Sequence, residues 1–140
     1  MYYKKALVPL DGSAHASLAC RHAVSLAQAG NMELILLYCY GELPASLGGD
    51  ARNDVIALSE EEGKSVLAPC AQYCEESGVK SQSLIRSGAP GRTIVLTAQA
   101  ENCDLIIMGS RGLSDFSGMV MGSVSHRVLR HSTVPVLIVR

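Results

Sequence analysis

Strong net charge, long apolar runs and an even set of cysteines are all missing from this chain, and each absence narrows the reading. A formal charge of −1 gives no global electrostatic footprint for nucleic acid, so no nucleic-acid partner is expected. No apolar run comes near the ~18 residues that a membrane span needs, although 48% of the residues are hydrophobic. A soluble protein with no membrane partner is therefore predicted. The opening Met-Tyr-Tyr-Lys-Lys-Ala-Leu-Val-Pro-Leu meets an aspartate at position 11 without developing a signal-peptide h-region, which predicts a cytoplasmic protein. Five cysteines, an odd number, do not compose a disulfide framework. Cys20, Cys39 and Cys103 lie in or beside apolar stretches and read as small buried residues. Cys70 and Cys74 stand one helical turn apart, and nothing nearby in sequence completes a metal or redox site around them.

Catalytic signatures are also scarce. There is no Gly-x-Ser-x-Gly elbow and no His-Glu-x-x-His pair. His15 and His22, a heptad apart, read as polar-face residues of one helix. His126 and His131 fall in the last helical stretch, where His131 with Arg127 and Arg130 suits a negative helix end. Gly63-Lys64-Ser65 imitates the end of a P-loop, but Leu58 stands where the first glycine is required, and Glu60-Glu61-Glu62 just before it would repel phosphate. No catalytic residue and no metal-ligating set is assigned.

What is present is an alternation of short apolar runs with helical patterns. One hundred and forty residues make one domain, 1–140, large enough to bury about two thirds of its unfolded surface. Residues 4–9 read as a first strand, apolar without alternation, as suits a parallel strand covered on both faces. Asp11-Gly12-Ser13 follows as a turn ending in an N-cap. Ala16, Ala19, Cys20, Ala23, Val24 and Ala27 then fall at helical spacing, and Gly30-Asn31 stops the helix, with Gly30 suited to the left-handed cap. Residues 33–40 form a second buried strand, and the glycine-rich stretch 41–53 reads as a loop. A second helix is expected over 54–77, bent or broken near Pro69. Strand 79–86, with Lys80, Ser81, Gln82 and Ser83, reads as an exposed edge. Pro90 opens a third helix through Ala100. A fourth strand covers 105–108, a last helix 123–131, and Val134-Pro135-Val136-Leu137-Ile138-Val139 closes the chain as an edge strand. Such an alternation implies βαβ units and a single doubly wound, five-stranded parallel α/β sheet with helices on both faces.

The most informative segment is 104–125. The run Leu105-Ile106-Ile107-Met108 ends at Gly109, Gly112 follows, and nine residues separate it from Gly122-Ser123, where a helix begins. Glycines let backbone approach a ligand closely or take positive φ, and a helix start offers unpaired N–H groups and partial positive charge. That is a place for phosphate. Charge agrees: residues 50–76 hold seven acids and two bases, whereas 104–140 hold two acids and four arginines. Ligands in such a sheet sit at the carboxyl ends of strands where the order reverses. Placing the turns at Asp11 and Gly109 in one crevice gives the strand order 3-2-1-4-5. A dinucleotide fingerprint does not fit, because the glycines follow the fourth strand and 134–139 carries no acid.

The spacing Gly109-x2-Gly112-x9-Gly122-Ser123, with Leu-Val-Pro-Leu-Asp-Gly-Ser near the start and Val-Pro-Val-Leu-Ile-Val at the end, resembles the ATP-binding branch of the universal stress protein family, over essentially the whole chain. The resemblance implies an adenine nucleotide alpha hydrolase-like fold and ATP with Mg2+ as ligand. It matches Pro9, Leu10 and Asp11 to one wall of an adenine slot, and Cys39 to the position whose backbone reads the adenine edge. Met108 and Gly109 match the ribose and α-phosphate neighbourhood, with Arg111 and Gly112 beside the phosphates. Gly122, Ser123, Val124 and Ser125 match the helix-start donors. Asp11 accepts from a ribose hydroxyl or helps to hold a divalent ion; the residues alone leave both open. The resemblance also implies a homodimer through the edge strand 134–139, and covering an apolar edge removes an aggregation hazard. Phe116, in the phosphate loop, is expected to cover the ligand or pack on the dimer partner, and Gly118 to give a turn or flexibility. The reading is a nucleotide-dependent regulatory or stress-response protein. Its alternatives are a dimeric adaptor or scaffold without nucleotide, and a slow ATPase, for which no positioned base or firmly held metal is evident.

Overall fold

Apolar runs without alternation need cover on both sides, and the computed structural model, which describes residues 2–113, 118 and 120–140, supplies it. The elements are β1 (Lys5–Pro9), α1 (Ala14–Gly30), β2 (Glu33–Tyr40), α2 (Gly49–Glu76), β3 (Ser81–Ser87), α3 (Pro90–Ala100), β4 (Leu105–Gly109), α4 (Ser123–His131) and β5 (Val136–Val139). All strand pairs are parallel and the order is β3-β2-β1-β4-β5, as expected. In register, Leu7 stands opposite Ile35 on one side and Ile106 on the other.

Successive residues of each central strand serve opposite layers. Ala6, Val8, Leu34, Leu36 and Ile107 pack with α1 and α2, while Leu7, Ile35, Leu37, Ile106 and Met108 pack with α3 and α4. Burying one such Leu or Ile side chain contributes ~1.5–3 kcal/mol, so the three central strands hold the sheet while its two edges differ in chemistry. β3 is the polar edge, with Gln82 and Ser83 exposed. β5 is the apolar one, with Leu137 exposed.

Several local expectations are corrected. The helix stops at Gly30-Asn31 as expected, but the left-handed cap is Asn31 (φ 52°, ψ 46°), with Gly30 still helical. Asparagine tolerates the left-handed region well enough to hold it, and the Met32 N–H closes the turn on the Ala27 carbonyl at 3.0 Å. α2 starts at Gly49, inside the expected loop, and runs unbroken through Pro69. Pro69 is exposed, and the helix carries it without a break. Gly63, the false P-loop glycine, is a packing residue: a Cβ there would stand 2.6 Å from Tyr38 Cδ1 and 2.9 Å from Ile85 Cδ1.

The largest correction concerns the cysteines. Cys20 on α1 and Cys70 on α2 form a disulfide, with their Cα atoms 6.1 Å apart. Cys39, Cys74 and Cys103 are free thiols. An odd count hid a single staple between two helices on the same face of the sheet. Among the described residues, no helix is long and apolar enough to cross a membrane.

Candidate functional site

The chain leaves β1 toward β2 and β3, then returns to place β4 on the other side of β1, so the order reverses between β1 and β4. Their carboxyl ends open a crevice there. A cavity of about 290 Å3 occupies it, lined by Pro9 of β1 with Leu10 and Asp11 just beyond it, Leu37, Tyr38 and Cys39 from β2, Met108 and Gly109 from β4, Arg111 to Leu113 beyond, and Val124 and Ser125 from α4. Ala16, Glu62, Pro90 and Ile94 complete the lining.

Asp11 ties the crevice together. Its Oδ1 accepts the Ser13 N–H at 2.9 Å, closing the turn into α1, and its Oδ2 accepts the Leu113 N–H at 3.1 Å, holding the start of the glycine loop. Ser13 caps α1 as expected, accepting the Ala16 N–H at 3.1 Å. Thus two segments some hundred residues apart meet through one carboxylate.

The start of α4 is fastened by Ser110. Its carbonyl accepts the Gly122 N–H and, at 2.8 Å, the Ser125 hydroxyl. Gly122 is the extended N-cap residue (φ −78°, ψ 166°), and the first intrahelical bond runs from the His126 N–H to the Gly122 carbonyl at 3.0 Å. The N–H groups of Ser123, Val124 and Ser125 precede that bond and have no partner within the helix. Gly122 itself is different from expectation: its N–H is committed to Ser110. The Ser123 side chain is exposed and, like Gly122, does not line the cavity.

Gly109 is needed for a reason the sequence did not disclose. A Cβ there would stand 2.8 Å from the backbone carbon and from the Cβ of His15. The first turn of α1 presses on the end of β4 where only hydrogen fits. Positive φ is not the reason, since Gly109 is absent from the left-handed glycines Gly12, Gly49, Gly78 and Gly88. His15 is half-buried instead of lying on a polar face. Its Nδ1 is 3.0 Å from Ser110 Oγ, and its Nε2 is 2.9 Å from Arg111 Nη2. His22 is exposed, as expected.

Electrostatics divide the cavity. Burial pushes the Cys39 thiol up to about 12, against a smaller opposite pull from Arg86. Burial, then the adjacent Glu62 carboxylate, raises the Tyr38 phenol. The β2 end is thus the dry, apolar part, and Arg111 with the α4 start forms the electropositive part. Leu37 and Tyr38 could have been found as neighbours of Cys39. Glu62, Pro90, Ile94 and His15 arrive through helix packing and carry no local signal. Phe116 lies outside the described residues; Gly118 is an exposed turn residue with open space around its Cα.

The model of the universal stress protein family matches residues 2–140. The chain belongs to that family. Universal stress protein MJ0531 of Methanocaldococcus jannaschii is 33% identical over 99% of this chain and 82% of its own length. Universal stress protein YxiE of Bacillus subtilis is 34% identical over 99% of both. Among solved structures, MJ0577 of Methanocaldococcus jannaschii superposes with a TM-score of 0.90 at 32% identity, covering 99% of this chain and 96% of that one. A universal stress protein in complex with cAMP superposes at 0.77 with 28% identity, covering 100% and 99%. The doubly wound sheet of this universal stress protein is therefore the family fold.

Proposed function

We propose that this universal stress protein binds ATP with Mg2+ in the β1–β4 crevice and acts as a nucleotide-dependent regulatory protein in a stress response. The observation that carries the reading is the convergence, in one cavity, of an apolar slot, the Gly109–Gly112 turn and the first turn of α4. Adenine takes the slot between Pro9, Leu10, Cys39 and Met108, where backbone groups at the end of β2 read its edge. The phosphates face Gly109, Arg111 and Gly112 and the N–H groups of Ser123, Val124 and Ser125, a helix start that favours anions. Gly122 serves by shaping the cap, and Ser123 by its backbone. The adenine-nucleotide class gains support from the relative solved with cAMP.

The residues present also fit a magnesium ion of the kind held mainly by phosphates. Such an ion takes one or two protein carboxylates. Asp11 is the carboxylate at the glycine turn, its oxygens accepting the Ser13 and Leu113 N–H groups among the described residues. Among the described residues no group of three or more His, Cys, Asp or Glu stands ready to hold a metal. The apolar edge β5, continued by Val134 and Pro135, is the surface through which two copies pair; a monomer by sedimentation at micromolar concentration overturns that part.

Calorimetry with ATP and magnesium at micromolar protein should show saturable binding, weakened at least tenfold by Gly122→Val. Titration with AMP, cAMP and adenosine then ranks the phosphate requirement. Absence of heat and of any thermal shift at millimolar ATP overturns the proposal.

A further inference from the structure

We infer that His15 is a positioning residue that aims Arg111 at the nucleotide phosphates, acting as a neutral imidazole with its proton on Nδ1. The inference rests on the ATP reading above and assigns a role to a side chain that touches neither the adenine slot nor the α4 start.

Three consecutive residues at the exit of β4 meet this one imidazole-bearing residue. Gly109 has no room for a Cβ because the His15 backbone lies against it. Ser110 places its Oγ 3.0 Å from Nδ1, and Arg111 places Nη2 2.9 Å from Nε2. Guanidinium has donors and no acceptor. Nε2 must therefore accept, which puts the ring proton on Nδ1, from where it is donated to the Ser110 hydroxyl oxygen. Ser110 is almost fully buried, and its carbonyl anchors Gly122 and the Ser125 hydroxyl. One residue thus links the start of α4, through Ser110 and His15, to the Arg111 side chain that lines the cavity.

The physical consequence is preorganisation. A long arginine side chain gives up much of its rotamer freedom when it is fixed. If the fixing is done before ligand arrives, less is lost on binding. His15 does this with a neutral ring, adding no second positive charge beside Arg111. It also holds the guanidinium against the base of the loop, next to the β4 exit. A protonated or Nε2–H ring could not do so, because two donors would then face each other.

The test has two readouts. The first is the 15N signature of the His15 ring in the wild-type protein without nucleotide at neutral pH. The Nδ1–H neutral tautomer is expected, and an Nε2–H tautomer or an imidazolium overturns the inference. The second is a double-mutant cycle on ATP affinity. His15→Ala and Arg111→Ala should each weaken ATP binding about tenfold, and the double variant should be no weaker than Arg111→Ala alone. Adenosine affinity should stay within twofold throughout. His15→Gln, whose carbonyl can replace the Nε2 acceptor, should recover most of the loss. Multiplicative losses, no recovery by glutamine, or an unchanged His15→Ala beside a weakened Arg111→Ala overturns the positioning role alone. A wild-type chain that binds adenosine and ATP equally removes the phosphate role of Arg111 and overturns it too. A wild-type chain that binds neither overturns the ATP reading together with this one. Should His15→Ala fail to fold, the glutamine variant and the tautomer carry the decision.

Discussion

Two cavities of this domain share Leu10, Ala16 and Glu62 in their walls and differ in almost everything else. The crevice at the strand ends measures about 290 Å3 and is bounded by a glycine turn, a capped helix start and a bridging carboxylate. The groove between α1 and α2 measures about 850 Å3, and its walls are Ser17, Arg21, Val66, Pro69 and Tyr73 above the Cys20–Cys70 disulfide. The larger space takes in Ala16 and Ser17 from the start of α1 but nothing of the glycine turn after β4 or of the α4 start. Recognition depends on convergent polar groups in a shaped apolar setting, so the proposal rests on the smaller space and not on volume. The small crevice has been built by turns, the large groove by the staple of two helices.

Reducing the disulfide separates these descriptions with the largest expected effect. It closes a loop with a sequence separation of 50, for which chain entropy gives about 4 kcal/mol. Urea unfolding with excess dithiothreitol should show a loss of that order, with ATP affinity unchanged within twofold. A tenfold fall in affinity in protein that is still folded would mean that the groove controls the crevice through their shared wall, and the contrast would break.

Within the crevice, glycines sharpen the comparison further. At Gly109 an added Cβ meets backbone, which cannot swing aside, while at Gly118 it meets nothing within 4 Å. Overpacking of the first kind costs ~1–3 kcal/mol, and here it also displaces the β4 exit from α1. Gly109→Ala should therefore lower both stability and ATP affinity, with Gly118→Ala within ~0.5 kcal/mol of wild type in a matched denaturation series. Equal behaviour of the two variants would show that α1 is not pressed on β4 as described.

These glycines also show where sequence reasoning reached and where it stopped. The strands were legible because buried parallel strands carry unbroken apolar runs, and their order because the turns at Asp11 and Gly109 were placed in one crevice. Pro90 and Ser123 marked helix starts that the structure reproduces to the residue. Gly109 was found, yet for its approach to ligand and not for its approach to His15, since no local pattern reports what a neighbouring helix will press against it. The same blindness covers Cys20 and Cys70, which become partners only when α1 and α2 lie side by side on one face. Pro69 misled in the opposite direction: a break was expected at an exposed proline that the helix carries without interruption.

The smallest effect tests the crevice from its dry end. Cys39 has its thiol pushed from 9.0 up to about 12, chiefly by burial. Because the folded value lies above the unfolded one, the stability it contributes is complete below pH 9 and declines as pH rises toward 12, where the unfolded chain releases a proton that the folded chain keeps. Wild type should lose more stability than Cys39→Ala between pH 9 and 11, measured by thermal unfolding under matched conditions. At pH 8 the shift leaves about a thousandfold less thiolate than an ordinary cysteine has, partly offset by the higher nucleophilicity of a more basic sulfur. Iodoacetamide should then label Cys39 a few tens of times more slowly than a free thiol. Labelling at the rate of an exposed cysteine would mean that the β2 end of the crevice is wet. An adenine slot there would then lose its apolar wall, and the advantage of the small cavity over the large one would rest on the phosphate side alone.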